Sequence, residues 1–145
     1  MRADHGFSVR LCDWARDAPA LRRVRQAVFV VEQRIPENLE WDAADPIAVH
    51  ALAEDETGEA IGCGRLLADG HVGRRAVVGP WRRRGVGAAL LLCLIDEARR
   101  RGHARVVLNA QMQAMPFYER YGFAACGGEF EEAGIPHREM SRGLA

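Results

Sequence analysis

The sequence predicts an α+β protein in which a mixed, mostly antiparallel sheet of about six or seven strands is flanked by helices on both faces. Short apolar segments separated by turn residues predict strands. Longer segments in which apolar residues recur every three or four positions predict helices. These segments follow in the order strand, helix, several strands, helix, strand, helix, strand, which is typical of an α+β layer fold. The chain has 145 residues, so we expect one domain over residues 1–145.

The N-terminal segment is predicted to form a strand and a helix. Phe7–Trp14 alternates between apolar and polar residues, as a half-buried strand does. Pro19–Val31 is predicted as a helix because proline suits a first helical turn. Its apolar residues form one stripe, made of Leu21, Val24, Val28 and Val31. Ile35–Pro46 is acidic and is predicted as a loop with room for a short helix.

Three strands joined by tight turns are predicted to follow. Ala48–Ala53 and Ala60–Leu67 are apolar segments on either side of the turn Asp55–Gly58. Asp69-Gly70 is a strong hairpin signal. It leads into a third strand, His71–Val78, so neighbouring strands in this part of the sheet should run antiparallel.

The C-terminal half is predicted to begin with a long helix, Val86–Arg100. Its last turn carries arginines, which favour a helix C-terminus, and Gly102 follows where a capping glycine belongs. A buried strand, a short helix and two further strands complete the chain. These are predicted over Ala104–Asn109, Met115–Tyr121, Phe123–Phe130 and Ile135–Met140.

Composition argues against several classes of protein. Twenty basic residues, all arginine, balance twenty acidic ones, so overall charge favours neither a nucleic-acid nor a membrane partner. The longest wholly apolar run, Ala88–Ile95, is too short to span a bilayer. The four cysteines lack the spacing of metal ligands, so we expect reduced thiols and no metal. The N-terminus lacks the apolar core of a signal peptide, and we expect a cytoplasmic protein.

The turn before the long helix carries the most informative pattern. A strand ends near Val78, and Gly85 and Gly87 lie at the entry to the helix, preceded by Arg82–Arg84. The first N–H groups of a helix have no intrahelical partner, and the helix dipole adds positive charge there. The pattern therefore predicts an anion site suited to a pyrophosphate, although glycine pairs before helices also occur for packing alone. It is neither a P-loop nor a dinucleotide-binding fingerprint.

Two linked motifs resemble those of a known enzyme family. The first resembles the acetyl-CoA signature of the GNAT superfamily of N-acetyltransferases; it is Arg82-x-x-Gly85-x-Gly87-Ala88 after the strand Gly73–Val78. The second is similar to the family's other hallmark; it is Asn109-Ala110-Gln111 followed by Ala114-x-x-Phe117-Tyr118-Glu119-x-x-Gly122-Phe123. The N-terminal half resembles a subgroup of small bacterial members, through Val28–Gln33, Glu40-x-Asp42-x-x-Asp45 and His50.

The resemblance implies an acetyl-CoA site. Backbone amides from Arg83 to Ala88 would hold the pyrophosphate, and the backbone of two strand residues would bond the pantetheine as an added strand would. A glutamine and a phenylalanine would lie beside the cofactor arm. The implied cofactor residues are Val77, Val78, Arg82, Arg83, Arg84, Gly85, Val86, Gly87, Ala88, Gln111 and Phe117.

The resemblance also implies that Tyr118 is the general acid. A neutral amine attacks the thioester and expels a thiolate, which leaves more readily when it receives a proton. A phenol, with an ordinary pKa of about 10, is protonated near neutral pH and can supply that proton. Taken without its motif, Tyr118 is better explained as a helix residue that packs on the sheet with Phe117, and its position within the motif reverses that preference.

The acceptor side is less well defined by the sequence. A dense acidic segment follows the first helix, and it would attract a cationic amine or form a solvated loop. Histidines titrate near neutral pH and are candidate bases, although each also suits a structural role; they are His50, His71 and His137. The acceptor-side residues we predict are Glu32, Glu40, Asp42, Asp45, His50 and His137.

The predicted function is transfer of an acetyl group from acetyl-CoA to a primary amine of a small molecule, by direct attack in a ternary complex. A protein N-terminus or lysine is the second choice of acceptor. The protein would be a bacterial enzyme acting as a monomer or homodimer, with no nucleic-acid or membrane partner. The alternative is a non-catalytic acyl-CoA-binding sensor or regulatory module, which would share the cofactor site.

Overall fold

A computed structural model describes residues 6–35 and 42–144, and within them seven strands form one sheet. The strands are β1 (Phe7–Cys12), β2 (Val49–Asp55), β3 (Ala60–Leu66), β4 (His71–Val77), β5 (Arg105–Gln111), β6 (Ala124–Glu132) and β7 (Ile135–Gly143). Their order across the sheet is β1-β2-β3-β4-β5-β7-β6. The β4–β5 pair is parallel and the other neighbouring pairs are antiparallel. The predicted fold class is therefore confirmed.

Helices cover both faces of the sheet. They are α1 (Trp14–Arg25), α2 (Val86–Arg100) and α3 (Met115–Arg120). On one face, α2 packs against β1 to β4 through buried residues such as Leu90 and Leu94. On the other face, α1 packs against β3 and β4 through Leu21 and Val24. No helix among the described residues is both long and apolar enough to cross a membrane.

The first helix departs from its predicted position. It begins at Trp14 rather than Pro19, because the carboxylate of Asp13 accepts the N–H of Arg16 and caps the helix. Pro19 lies inside α1, and the chain after Arg25 continues as a π-helix over Gln26–Glu32. A π-helix turns less per residue than an α-helix, so the predicted stripe breaks and Val31 is 67% exposed.

The remaining elements match their predictions to within a few residues. The helix α2 has the predicted bounds, and Gly102 after it has a φ of +83°. Gly70 has a φ of +94° in the turn before β4. At the turn from Asp55 to Gly58, the Asp55 carboxylate accepts the N–H of Thr57. Local turn chemistry therefore determines where these elements begin and end.

The two parallel strands separate soon after they pair. Only His71 and Val72 of β4 pair with β5 among the described residues. The register between β3 and β4 shifts near Arg74, which has a φ of +50°. Such a bulge puts an extra residue in one strand and bends it. The bend lets β4 and β5 diverge, and a cleft opens between them.

Candidate active site

The cleft between the diverging strands has a volume of about 1200 Å³. One wall is β4, and the opposite wall is the end of β5 with α3. The π-helix and the first turn of α2 complete its lining. Both predicted motifs border it, since they follow β4 and β5 in the chain.

The turn before α2 has the geometry of an anion site. Arg83 and Gly85 have φ values of +63° and +87°, and Gly85 is the residue before the first turn. No side chain caps this helix end, so its first N–H groups are available to a ligand. Arg82, Arg83, Gly85, Gly87 and Ala88 line the cleft. These residues fit the pyrophosphate of a coenzyme A donor.

Three predicted cofactor residues do not line the cleft. The guanidinium of Arg84 stacks on the ring of Trp81, with its carbon 4.5 Å from the ring centroid. The side chain of Val86 is buried in the core, so either residue would serve only through its backbone. The N–H of Val78 donates to the carbonyl of Ile61 on β3. This N–H is therefore committed to the sheet, so the predicted bond from Val78 to pantetheine would have to form without it.

Arg82, the first residue of the glycine motif, binds protein groups. Its guanidinium donates to both oxygens of Glu32 at 2.6 Å, and its Nε donates to the carbonyl of Val77 at 3.0 Å. The hydrogen bond with Arg82 lowers the pKa of Glu32. Glu32 was predicted to attract a cationic acceptor, but its charge is neutralised by this pair, which ties the π-helix to the phosphate turn.

Tyr118 is buried at the inner side of the cleft. It contacts Arg75, a residue to which the sequence analysis gave no role. Nη2 of Arg75 donates to its hydroxyl oxygen at 2.7 Å. The Arg75 guanidinium also lies over the rings of Phe117 and Tyr118, 4.8 and 5.0 Å from their centroids. A signal for Arg75 was present in the sequence, because it lies two residues before Val77 on the strand that leads into the glycine motif.

The predicted acidic residues contact arginines. Asp45 is 1% exposed and accepts hydrogen bonds from Arg25 and Arg65 at 2.8 Å. Asp42 binds Arg65 and Arg74. We call these five residues the arginine–aspartate cluster. Both carboxylates are bound by arginines and neither lines the cleft, so the structure gives no support to the expectation that they recognise a cationic amine.

The charges in the cluster shift the pKa values of its carboxyl groups. The hydrogen bond from Arg65 lowers the pKa of Asp42. Burial alone would raise the pKa of Asp45, but the hydrogen bonds and charges of Arg25 and Arg65 outweigh burial and keep it low. Both groups are therefore ionised and paired at neutral pH. Glu40, the remaining predicted carboxylate, lies outside the described residues.

The predicted histidines occupy different environments. His50 is 1% exposed, does not line the cleft, and donates from Nε2 to the carbonyl of Asp45. Burial lowers its pKa, so it is a neutral structural residue. His71 and His137 line the cleft. Nδ1 of His137 lies 2.6 Å from the carbonyl of Ile135; since a carbonyl only accepts, Nδ1 carries the proton and Nε2 is left as an acceptor.

Polar groups at the mouth of the cleft connect its walls. The amide of Gln111, at the end of β5, donates to the side chain of Gln33 after the π-helix at 3.1 Å. The amide of Asn109 donates to Glu132 at 3.2 Å. Sequence analysis predicted Gln111 as a cofactor residue and gave no role in the site to Asn109, its neighbour on β5, or to Gln33 and Glu132, which lie on other elements. No group of three or more metal-ligating side chains occurs within residues 6–35 and 42–144.

Comparisons with known proteins identify the family of the chain. The acetyltransferase (GNAT) domain family matches residues 17–144. An uncharacterized N-acetyltransferase, YjcF of Bacillus subtilis, is 37% identical over 124 residues, covering 82% of this chain and 87% of its own. The structure of an acyl-CoA N-acyltransferase from Pseudomonas aeruginosa is 30% identical with a TM-score of 0.84, covering 94% of this chain and 99% of its own.

The chain is also similar to a third protein, whose structure is known. The structure of Escherichia coli ElaA is 28% identical with a TM-score of 0.83 and covers 94% of this chain and 99% of its own. The family match spans nearly the whole chain, and both predicted motifs lie within it. The chain therefore belongs to the GNAT family of acetyltransferases.

Proposed function

We propose that this protein transfers an acetyl group from acetyl-CoA to a primary amine of a small molecule, by direct attack of the amine on the thioester. The observation that carries the proposal is the hydroxyl of Tyr118, buried beside the cleft and hydrogen-bonded by Arg75. The family supports acyl transfer from a coenzyme A thioester; the acetyl donor and the amine acceptor are our proposal.

The donor would bind along the wall formed by β4 and the first turn of α2. The free N–H groups of that turn and the nearby Arg83 suit the pyrophosphate. The pantetheine would follow β4 past Val77, whose carbonyl already accepts from Arg82. The thioester supplies the acyl group to be transferred, and the chain's own residues orient it and move protons.

Tyr118 would act as the general acid. Arginine has no acceptor, so in the contact with Arg75 the Tyr118 oxygen must accept. Its own O–H remains available to donate to the departing sulfur. Proton delivery by a positioned side chain is typically worth about 10²–10⁴-fold in rate.

His137 would take the proton that the amine loses. It is 7% exposed, lines the cleft, and has Nε2 as its acceptor nitrogen. Its ring is stacked on Phe130 at 5.9 Å between centroids, which fixes its orientation. The buried His50, bound to the carbonyl of Asp45 outside the cleft, has no such access.

The acceptor would approach as a neutral amine. The carboxylates of the arginine–aspartate cluster are paired, so we no longer assign them the recognition of a cation. Glu132 and Gln33 at the mouth offer acceptors for the N–H groups of an amine. The class of acceptor we propose is therefore a primary amine.

The test is thioester turnover against a panel of primary amines, with the variants Tyr118→Phe and Tyr121→Phe. Tyr121 is the chain's only other tyrosine and contacts the ring of Phe117, which makes it a matched control. We expect Tyr118→Phe to lower kcat by about 10²–10⁴-fold and to leave the acetyl-CoA Kd nearly unchanged. Equal kcat in Tyr118→Phe and the parent would refute the acid, and tight acetyl-CoA binding without turnover of any amine would favour the non-catalytic sensor.

A further inference from the structure

We propose that Arg75 is a positioning residue for the acid step, holding the Tyr118 hydroxyl so that its proton faces the cleft and stabilising the tyrosinate left after proton transfer. This inference rests on the proposed function, because it assigns Arg75 a task in the same reaction. It concerns a side chain on β4 to which the sequence analysis gave no role.

Packing confines the Arg75 guanidinium to one orientation. Nη2 lies 2.7 Å from the Tyr118 oxygen. The guanidinium lies over the ring of Phe117, and a Cβ built on Gly87 would come within 2.6 Å of Nη1. The absence of a side chain at Gly87 therefore makes room for Arg75, which extends from the first turn of α2 to the acid.

The charge of Arg75 is available to Tyr118. Within residues 6–35 and 42–144, the structure gives Arg75 no carboxylate partner, and its buried Nε has no hydrogen-bond acceptor. Arg25, Arg65 and Arg82, by contrast, are each bound to an aspartate or glutamate. A partly buried guanidinium that has no carboxylate partner is stabilised more by a neighbouring anion than one that is already paired.

Of the side chains that contact Tyr118 in the described residues, Arg75 is the one that carries a charge. The Tyr118 ring contacts the rings of Phe117 and Phe123, which carry no charge. Glu119 and Arg120, beside it on α3, are exposed. The N-terminal turn of α2 approaches through Gly87 and adds partial positive charge on the same side.

The step balances as follows. The amine nitrogen bonds to the acetyl carbon, the carbon–sulfur bond breaks, and the electron pair leaves on sulfur. The Tyr118 proton goes to that sulfur, so the tyrosinate accepts from Nη2 of Arg75. The proton lost by the amine goes to Nε2 of His137. Solvent then returns one proton to Tyr118 and takes one from His137, and the products are an amide and free thiol.

The first experiment compares Arg75→Gln with Arg99→Gln, the control that removes an exposed arginine at the far end of α2. Because a hydrogen bond to a charged group is worth more than a neutral one, we expect Arg75→Gln to lower kcat by about 10- to 100-fold. The acetyl-CoA Kd from calorimetry should change far less than kcat. If acetyl-CoA affinity falls as much as the rate, and the parental rate returns at saturating acetyl-CoA, Arg75 serves the anion site beside Gly87 and the proposal is overturned.

A double-mutant cycle tests whether Arg75 acts through Tyr118. In the Tyr118→Phe background, Arg75→Gln should have little further effect on kcat, because the proton and the tyrosinate are already absent. Equal fold-losses in both backgrounds would overturn the positioning role. If Tyr118→Phe alone leaves kcat unchanged, the proposed acid itself fails; if only Arg75→Gln is without effect, the acid stands and this inference falls.

A readout without turnover is available because the chain has two tyrosines. In the Tyr121→Phe background, the tyrosine contributions to fluorescence and to near-ultraviolet circular dichroism report the environment of Tyr118 alone. Adding Arg75→Gln should change both signals while far-ultraviolet circular dichroism stays the same, since the hydrogen bond to the hydroxyl is lost. Unchanged signals would contradict the proposal.

Discussion

Replacing Asp45 with asparagine should destabilise the fold strongly while leaving the chemistry of the folded enzyme intact. Asp45 and Arg25 are each 1% exposed, and Arg65 is 6% exposed. The Asp45 carboxylate accepts from Arg25 at 2.8 and 3.2 Å and from Arg65 at 2.8 Å. Asparagine keeps the shape and removes the charge, so the buried Arg25 and Arg65 would both lose the charge of Asp45.

The expected loss is large relative to the stability of a domain. Breaking a buried ion pair by removing one partner costs about 3–5 kcal/mol, against a total stability of about 5–15 kcal/mol. With a urea m-value of about 2 kcal/mol/M, the unfolding midpoint should fall by about 1.5–2.5 M. Asp42→Asn is the matched control, because Asp42 binds the same Arg65 but its side chain is 36% exposed. That substitution should cost about 1 kcal/mol.

The assay is urea unfolding followed by tryptophan fluorescence, repeated over a range of pH. The folded pKa of Asp45 is lowered below its ordinary 3.8, so its contribution is present above that value and is lost as pH falls through the folded pKa. The gap between parent and Asp45→Asn should therefore shrink in acid. A loss below about 1 kcal/mol, or an equal loss for Asp42→Asn, would refute the argument. A raised KM for the amine in folded Asp45→Asn would support the predicted role of Asp45 in acceptor binding.

Three other substitutions test separate parts of the site and fold. Gly87→Glu should weaken acetyl-CoA binding in calorimetry by at least about tenfold, because it adds a side chain and a negative charge at the anion site; unchanged affinity in a folded variant would exclude that site. His137→Gln should lower kcat/KM for the amine by about 10²–10⁴-fold and leave the acetyl-CoA Kd nearly unchanged; an unchanged kcat/KM would exclude His137 as the base. The hydrogen bonds from Arg100 and Arg101 lower the pKa of Glu97 from 4.5 to about 2, so the stability it adds is present above pH 4.5 and is lost as pH falls toward 2. Glu97→Gln should therefore be less stable than the parent at neutral pH by about 1 kcal/mol, and the difference should vanish in acid; a difference that persists at low pH would contradict this.

Most of the helices and strands that were predicted correctly are marked by sequence features within the element itself or next to it. The bounds of α2 were predicted correctly because they depend on local features. These are the spacing of its apolar residues, the arginines in its last turn and Gly102 after it. The first helix was misplaced because Pro19 suggested a start, whereas the cap from Asp13 lies earlier. The π-helix over Gln26–Glu32 could not be predicted, because the same apolar residues also suit a regular α-helix.

The geometry of the turn before α2 was predictable because its glycines, its arginines and the start of the helix are contiguous in one short segment. The divergence of β4 and β5 depends instead on the bulge at Arg74, where an arginine adopts a φ of +50°. Arginine does not favour a positive φ, so the sequence does not indicate the bulge and only the tertiary structure reveals it.

The acidic segment illustrates why charges cannot be assigned from the sequence alone. Counting carboxylates predicted an attractive surface for a cation, but the partners of Asp45 lie 20 residues away in each direction, at Arg25 and Arg65. Asp42 meets Arg74 across 32 residues. These arginines come from α1, β3 and β4, so the pairs form only once the sheet and helix have assembled. Arg75 is the informative exception: its neighbour Arg74 is bound to Asp42, whereas Arg75 meets the hydroxyl of Tyr118. Since a folded protein tolerates a partly buried cation without a counter-ion only at a cost, this contact is the strongest reason to look for function at that end of the cleft.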